Sequence, residues 1–406
     1  MPEICHSVCC ARFFRCDEYR RVGEISQLSA IAFCVALLPL SDYRPGTMAL
    51  DRILLTDFRN HRDTRIGGTA KFNLLIGENG AGKTNVLEAL SLFAPGRGLR
   101  RAALAEMPGH GGDGGFAVSA QLSGSDGTVQ IGTGIRSERP GRRIVQINQA
   151  EAAAVQLGEW LSIGWLTPAM DRLFAESAGA RRRFLDRLVL ALEPGHARTA
   201  SRYDNALRER NRLLGETAEP DPAWLDALEA QLAEAGATLA QARTGVIARL
   251  DEALELLPQA PFARPTLAYQ PGGPIEAAAL AAALAAGRRR DRAAQRSLVG
   301  PHRDELAVTM AGKNQPAAEC STGEQKAMLI AITLAHAGLL DDTRPRLLLL
   351  DEVAAHLDPI RREALFERLR SGAAQVWLTG TEAAPFAAIS GEAAIWRVSE
   401  GALERV

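Results

Sequence analysis

Gly77-Glu-Asn-Gly-Ala-Gly-Lys-Thr84 lies between an apolar run, Lys71-Phe-Asn-Leu-Leu-Ile76, and a segment from Lys83 whose apolar residues recur at helical spacing. A glycine-rich turn joining a strand to a helix is the setting of a phosphate-binding loop. Its glycines tolerate positive φ, so the backbone N–H groups of Gly77, Glu78, Asn79, Gly80, Ala81 and Gly82 can converge on phosphate oxygens. The N-terminus of the following helix adds partial positive charge there. Lys83 is placed to reach the β- and γ-phosphates of ATP, and the Thr84 hydroxyl to hold Mg²⁺.

The acidic partner of such a loop is expected at the end of a buried strand. Leu347-Leu-Leu-Leu350 followed by Asp351-Glu352 fits, because a continuous apolar run suits the middle of a parallel sheet. Ligands bind at the C-terminal ends of such strands. Asp351 is therefore expected to hold Mg²⁺, directly or through water, and Glu352 to polarise an attacking water as general base. Lys83 and Glu352 form the expected catalytic pair. Residues 85–346 separate the two motifs, and that long insertion ends in Ser321-Thr-Gly-Glu-Gln-Lys326.

Taken together, the loop, Ser321–Lys326 and Leu350-Asp-Glu-Val-Ala-Ala-His-Leu-Asp358 resemble the ABC-type ATPases of the SMC and RecF group. Three further segments narrow the resemblance to the RecF family of DNA replication and repair proteins. They are Asp171-Arg-Leu-Phe…Arg181-Arg-Arg-Phe-Leu-Asp186, Tyr203–Leu214 and Leu298-Val-Gly-Pro-His-Arg-Asp304. The likeness runs over about residues 48–406 in family order.

It implies an α/β fold: an ABC-type ATPase lobe with a flanking antiparallel sheet and an inserted helical lobe. It implies ATP and Mg²⁺ as cofactors, weak hydrolysis used as a switch, and an ATP-dependent homodimer. Ser321 and the Gly323 N–H would meet the γ-phosphate held by the partner's loop, and Asp358 would contact across the interface. DNA, as gapped duplex, and RecO- and RecR-like mediators are the implied partners, with no membrane involved. Arg97 and Arg100 resemble arginines that approach the nucleotide in relatives. The chain departs from the family pattern at Glu324, where glutamine is usual, at Glu352, at Ala355-His356, and at Thr379, where many ABC ATPases carry a switch histidine. Other members of the superfamily act in phage defence or as nuclease subunits, and residues 359–406 are too few for a fused nuclease.

Strand patterns at 50–58, 71–76, 116–122, 129–135 and 143–147 predict a largely antiparallel sheet beside the nucleotide lobe. Together with the first helix they make an N-terminal ATPase part over 48–167. A helical domain is expected over 168–258, with Asp221-Pro222 starting a long amphipathic helix. SMC proteins carry arms of several hundred residues; this insert is too short for tethering over distance. Residues 259–406 then return to strand and helix and complete the ATPase.

Net charge is −1, so no global basic character announces a polyanion. Candidate DNA-facing clusters are Arg136, Arg139, Arg142 and Arg143, and Arg288, Arg289 and Arg290, although such runs read equally well as solvated or internally paired surface. The Arg181–Arg183 run reads as structural. Five of six cysteines precede Met48, and the rest of the chain suits a reducing cytoplasm. The apolar stretch 31–40 is too short to span a bilayer, which takes about 20 residues. Residues 1–47 read as an upstream extension, the family likeness starting at Met48.

Overall fold

The computed structural model describes residues 50–406 except 125–126, 217, 219, 259, 341–343 and 355–356. The 1–47 extension with its cysteines, and the Ala355-His356 departure, lie outside the described residues.

One sheet carries the nucleotide loop and the acidic strand. Its order is β15 (Ala402–Arg405), β14 (Ala393–Ser399), β3 (Phe72–Ile76), β13 (Gln375–Gly380), β12 (Arg346–Leu350), β8 (Ser162–Leu166). All neighbours from β14 to β8 are parallel, and only β15 runs against β14. Side chains alternate between faces with period two. Leu347 and Leu349 enter one core while Leu348 and Leu350 enter the other. Burial on both faces is what the unbroken leucine run of β12 reflects.

One face of this sheet is covered by α1 (Lys83–Ser91) and a second, antiparallel sheet. That sheet runs β2 (His61–Ile66), β1 (Leu50–Phe58), β4 (Phe116–Gly124), β5 (Gly127–Ile135), β6 (Ile144–Ile147), β7 (Ala150–Glu151). Val86, Leu87 and Leu90 of α1 fill the space between Leu50, Ile53 and Leu55 on one side and Leu75, Trp377 and Trp396 on the other. Trp377 and Trp396 stack with centroids 5.7 Å apart.

Segment 71–76 corrects the expectation for the flanking sheet. It forms β3, central in the parallel sheet, and the antiparallel sheet gains His61–Ile66 instead. Four of the five β3 residues are buried, so the strand needs cover on both faces, which only the central position supplies.

The opposite face of the parallel sheet is covered by α3 (Ala178–Leu192), α7 (Thr322–Leu339), α8 (Pro359–Ser371) and the C-terminal half of α5 (Pro222–Glu255). A four-residue turn, α2 (Leu157–Trp160), leads into β8. Asp221 caps α5, its carboxylate accepting the Ala223 N–H at 2.9 Å, and Pro222 follows at the first helical position. At ~1.5 Å per residue this helix is about 50 Å long, a short arm rather than a tether. Its N-terminal half leaves the ATPase core and packs on α4 (His196–Gly215) and α6 (Ala277–Ala294) through Leu232, Leu239, Tyr203, Leu280 and Leu284. The 277–294 segment was expected to complete the ATPase; it joins the helical lobe instead. That lobe therefore gathers chain from before and after β9 (Pro265–Gln270), which joins β10 (Glu305–Met310) and β11 (Gln315–Pro316) in a three-stranded sheet.

Candidate nucleotide site

The parallel sheet brings the two distant motifs together. β3 ends in the glycine loop, β12 ends at Asp351, and β13 lies between them. Gly80 and Gly82 take φ of 83° and 115°, left-handed conformations that L side chains rarely adopt. The loop is tied at both ends. Gly77 N–H donates to Gly380 O at 3.2 Å, and the Ala81 carbonyl accepts from Gly401 N–H at 3.0 Å and Asn60 Nδ2 at 2.9 Å.

Lys83 is buried, and its ammonium donates to the Gly77 and Glu78 carbonyls at 2.7 Å each. The amine thus lies over the loop, where it can exchange carbonyls for phosphate oxygens. Burial pulls its pKa below the ordinary lysine value, while the nearby carboxylates of Glu352 and Asp351 oppose that shift. Thr84 Oγ1 donates to Asp351, 2.9 and 3.2 Å from the two carboxylate oxygens. A hydroxyl and a carboxylate side by side are the hard oxygen donors that Mg²⁺ takes, the remaining positions going to water and phosphate. The pair fits the ion.

Burial raises the Asp351 pKa, and the hydroxyls of Thr379 and Thr84 partly offset the rise. Thr379, near the end of β13, faces Asp351. Its hydroxyl donates to Asp351 Oδ1 at 2.8 Å and accepts the Glu352 N–H at 2.8 Å. Glu352 has φ of 54°, a conformation costly for a non-glycine residue, and this hydrogen bond helps to hold it. Thr379 therefore positions both acidic residues, a role invisible in the sequence because it depends on strand register.

His61 is a second residue that sequence reading missed. Its ring is buried, with Nδ1 2.7 Å from Gly401 O and Nε2 3.1 Å from Gly82 O. It staples the loop to the β14–β15 turn. Arg100, expected near the nucleotide, donates to Asn85 Oδ1 at 2.6 Å and Glu88 Oε2 at 2.9 Å on α1. Glu88 is fully buried and also takes a bidentate contact from Arg59 at 2.9 and 2.8 Å.

The signature segment forms the N-terminus of α7. Ser321 caps it, and Glu324 closes a capping box, its carboxylate accepting from the Ser321 N–H and hydroxyl at 2.9 Å each. Lys313 pairs with the other Glu324 oxygen, and Lys313 and Ser321 together pull its pKa down to about 2. A Cβ built on Gly323 meets nothing within 4 Å. Asp358 caps α8 by accepting the Arg361 N–H at 3.0 Å, and two residues on stands Ile360, 72% exposed.

The arginine clusters are corrected in part. Arg143 is withdrawn from any DNA face: it donates to Thr133 Oγ1 at 2.8 Å, to Gly96 O at 2.7 Å and to Leu92 O. Burial lowers its pKa to about 10, and it pins the chain leaving α1. Arg288 is likewise committed, to Glu229 and Asp226 on α5. Arg136, Arg139, Arg289 and Arg290 are exposed, and Arg142 pairs with Glu151 at 3.0 Å.

The three segments that narrowed the family likeness meet in one buried network. Arg243 reaches Asp186 of the Arg-Arg-Arg-Phe-Leu-Asp run at 2.9 Å and Asp304 of the Gly-Pro-His-Arg-Asp turn at 2.6 Å. Tyr203 meets His302 at 2.8 Å, and Arg210 reaches Ser297 at 2.7 Å. These segments tie the helical lobe to α3 and supply no group to the nucleotide pocket.

Among the described residues no helix is long and apolar enough to cross a membrane. The family model described as "RecF/RecN/SMC N terminal domain" matches residues 49–399. The chain is similar to the DNA replication and repair protein RecF of Mesorhizobium japonicum, 47% identical over 88% of this chain and 98% of the relative. It is similar to the RecF of Caulobacter vibrioides at 45% identity, over 88% of this chain and 98% of that one. Its fold matches the recombination mediator protein RecF solved with ATP, with a TM-score of 0.78 at 21% identity, covering 90% of this chain and 99% of that one. An Smc head domain from Pyrococcus furiosus matches more loosely, with a TM-score of 0.51 at 16% identity over 88% and 96%.

Proposed function

The chain belongs to the RecF family, and from that premise we propose that it is an ATP-dependent DNA-binding protein of DNA replication and recombinational repair. ATP occupies the Gly77–Thr84 loop, Lys83 binds its terminal phosphates, and Thr84 and Asp351 hold Mg²⁺. Two chains close on two nucleotides. Ser321 and the Gly323 N–H of one subunit meet the γ-phosphate held by the other, and Asp358 lies in the interface. The closed dimer binds ATP better than the open monomer does, so ATP drives closure around DNA and hydrolysis releases it. Glu352 accepts a proton from the attacking water. Slow turnover suits a clamp that marks gapped duplex and hands it to RecO- and RecR-like mediators for recombinase loading.

The observation that carries the two-chain site is Gly323. It has no positive φ, and a Cβ there would meet nothing within 4 Å among the described residues of its own chain. Glycine in a helix costs up to about 1 kcal/mol relative to alanine. Nothing among the described residues calls for it, whereas close approach by a partner's nucleotide does. The exposed Ile360 beside Asp358 supports the same face as an interface.

Glu352→Gln keeps the shape of the site and removes the base. Light scattering should then find a dimer that persists with ATP, where the wild type relaxes to monomer. A Glu352→Gln chain that stays monomeric with saturating ATP would sink the composite-site reading.

A further inference from the structure

The turn after β8 touches the acidic strand at one end and the signature helix at the other. Leu166 closes β8 opposite Leu350, and its carbonyl accepts the Asp351 N–H at 2.9 Å. A single 3₁₀ turn, Pro168–Met170, follows, with the Met170 sulfur 3.7 and 3.6 Å from Nη1 and Nη2 of Arg187. Arg187 in turn lies over the Trp165 ring of β8, 4.4 Å from its centroid, so the turn is held against its own strand. Asp171 comes next, and its carboxylate meets the Lys326 ammonium of α7 at 3.5 Å.

Lys326 has little reason of its own to stand there. It begins the second turn of α7, towards the helix end that favours negative charge. Only 11% of its side chain is exposed, and Asp171 is its one acidic partner among the described residues. Of the chain's 47 lysines and arginines only four are lysines, and two of these flank the signature turn. Lys313 reaches it from the β10–β11 turn through Glu324, and Lys326 ties it to the β8 turn through Asp171. The signature turn is rigid within itself: Ser321 and Glu324 close the capping box, and Gln325 Nε2 donates to Cys320 O at 2.9 Å. Its aim is then set from outside. The Lys313 side chain is half exposed, and such pairs fix little; the enclosed Lys326 is the firmer tie.

We propose that Asp171, acting through Lys326, positions the signature turn for the nucleotide held by a second chain. This rests on the composite-site reading above. Asp171 bonds to none of the residues that line its own chain's pocket, so it is a positioning residue and not a catalytic one. It hangs from the strand end that also anchors Asp351. The strand end that carries the metal carboxylate of one site thus sets the Ser321–Gly323 face that the same chain lends to the other. Each chain's two half-sites are joined by one contact between two side chains.

The test uses the full chain with Mg²⁺ and ATP. Light scattering reads the dimer, and a fluorescent ATP analogue reads nucleotide affinity at protein concentrations where the chain is monomeric. Wild type comes first: a wild type that stays monomeric with saturating ATP defeats the composite-site reading, and this inference with it. Given a dimer, Asp171→Asn should weaken ATP-dependent association roughly tenfold, the scale of one lost hydrogen bond to a charged group. Affinity of the monomer for the analogue should stay within about twofold. Asp171→Asn leaves Lys326 enclosed without its anion and can lower the melting temperature. Asp171→Asn with Lys326→Met buries no lone charge, so this double variant should melt close to wild type. It should still dimerise poorly, and no worse than Asp171→Asn or Lys326→Met alone, because the two residues act as one unit. A double variant that dimerises like wild type overturns the proposal and leaves the pair a structural contact. A fall in analogue affinity that matches the fall in dimerisation overturns it too, since the pair would then serve its own chain's nucleotide.

Discussion

The nucleotide pocket and the helical lobe are both built around buried charge, but they satisfy it differently. In the lobe, Arg210 is fully enclosed and meets Glu229 at 2.9 Å, Asp291 at 2.7 Å, Ser297 at 2.7 Å and Leu284 O at 2.9 Å. Burial works against the Arg243 charge, yet Asp186 and Asp304 more than offset it and its pKa is raised. In the pocket the balance is reversed. Lys83 rests on two loop carbonyls and burial lowers its pKa, while burial raises that of Asp351. Charge matched inside the chain holds a fold; charge left short of partners is poised to receive a ligand.

The largest effect should follow from breaking the matched side. Arg243→Ala leaves Asp304 buried without its cation, and removal of one partner from such a pair costs about 3–5 kcal/mol. Denaturant unfolding should record that loss, while the folded fraction binds ATP as before because Arg243 touches no pocket residue. A loss of ATP affinity without a loss of stability would mean that the network serves the nucleotide directly.

Next in size is the unmatched side. The Asp351 pKa is raised in the folded state, so folding favours its protonated form. Stability from that source is present at acid pH and is lost as pH rises through the folded pKa. Asp351→Asn removes the charge and keeps an oxygen for Thr84 and Thr379. The nucleotide-free variant should melt higher than wild type at neutral pH, and the gain should shrink as the carboxylate range is approached from above. Mg²⁺-dependent hydrolysis should be lost at every pH. A variant that melts lower at neutral pH would show that the hydroxyl contacts outweigh the burial of the charge.

The two regions were unequally legible in the sequence. The pocket could be read because its parts are local: a glycine loop between strand and helix, and four leucines ending in Asp351-Glu352. Sheet register then joined Thr84 to Asp351, as the motif pair requires. Asp221-Pro222 was equally readable, since a cap and its proline act within one turn. What failed was long-range. Apolar 71–76 fits either sheet, and only two-sided burial chooses the parallel one. Alanine-rich 277–294 has no mark that says which lobe it will cover. Arg143 looks like any member of an arginine run until the carbonyls of Leu92 and Gly96 come to face it. Thr379 and His61 act on groups brought to them by other strands, so no spacing in the chain announces them.

The smallest expected effect on stability separates the two kinds of site most sharply. Gly323 stands in the first turn of α7, where the chain's own packing would accept a methyl group. Gly323→Ala should stabilise the isolated chain by roughly 0.5 kcal/mol, because alanine has less freedom to lose on folding. ATP binding to the monomer should not change, since Lys83, Thr84 and Asp351 are untouched. Association with ATP should nevertheless weaken, because the methyl group would stand where a partner's nucleotide approaches. A matched interior site does not behave this way; there, relief of local strain carries no functional loss. If Gly323→Ala raises the melting temperature and leaves the ATP-dependent dimer intact, the signature turn belongs with the self-satisfied charge of the helical lobe, and the composite site has to be sought elsewhere on the chain.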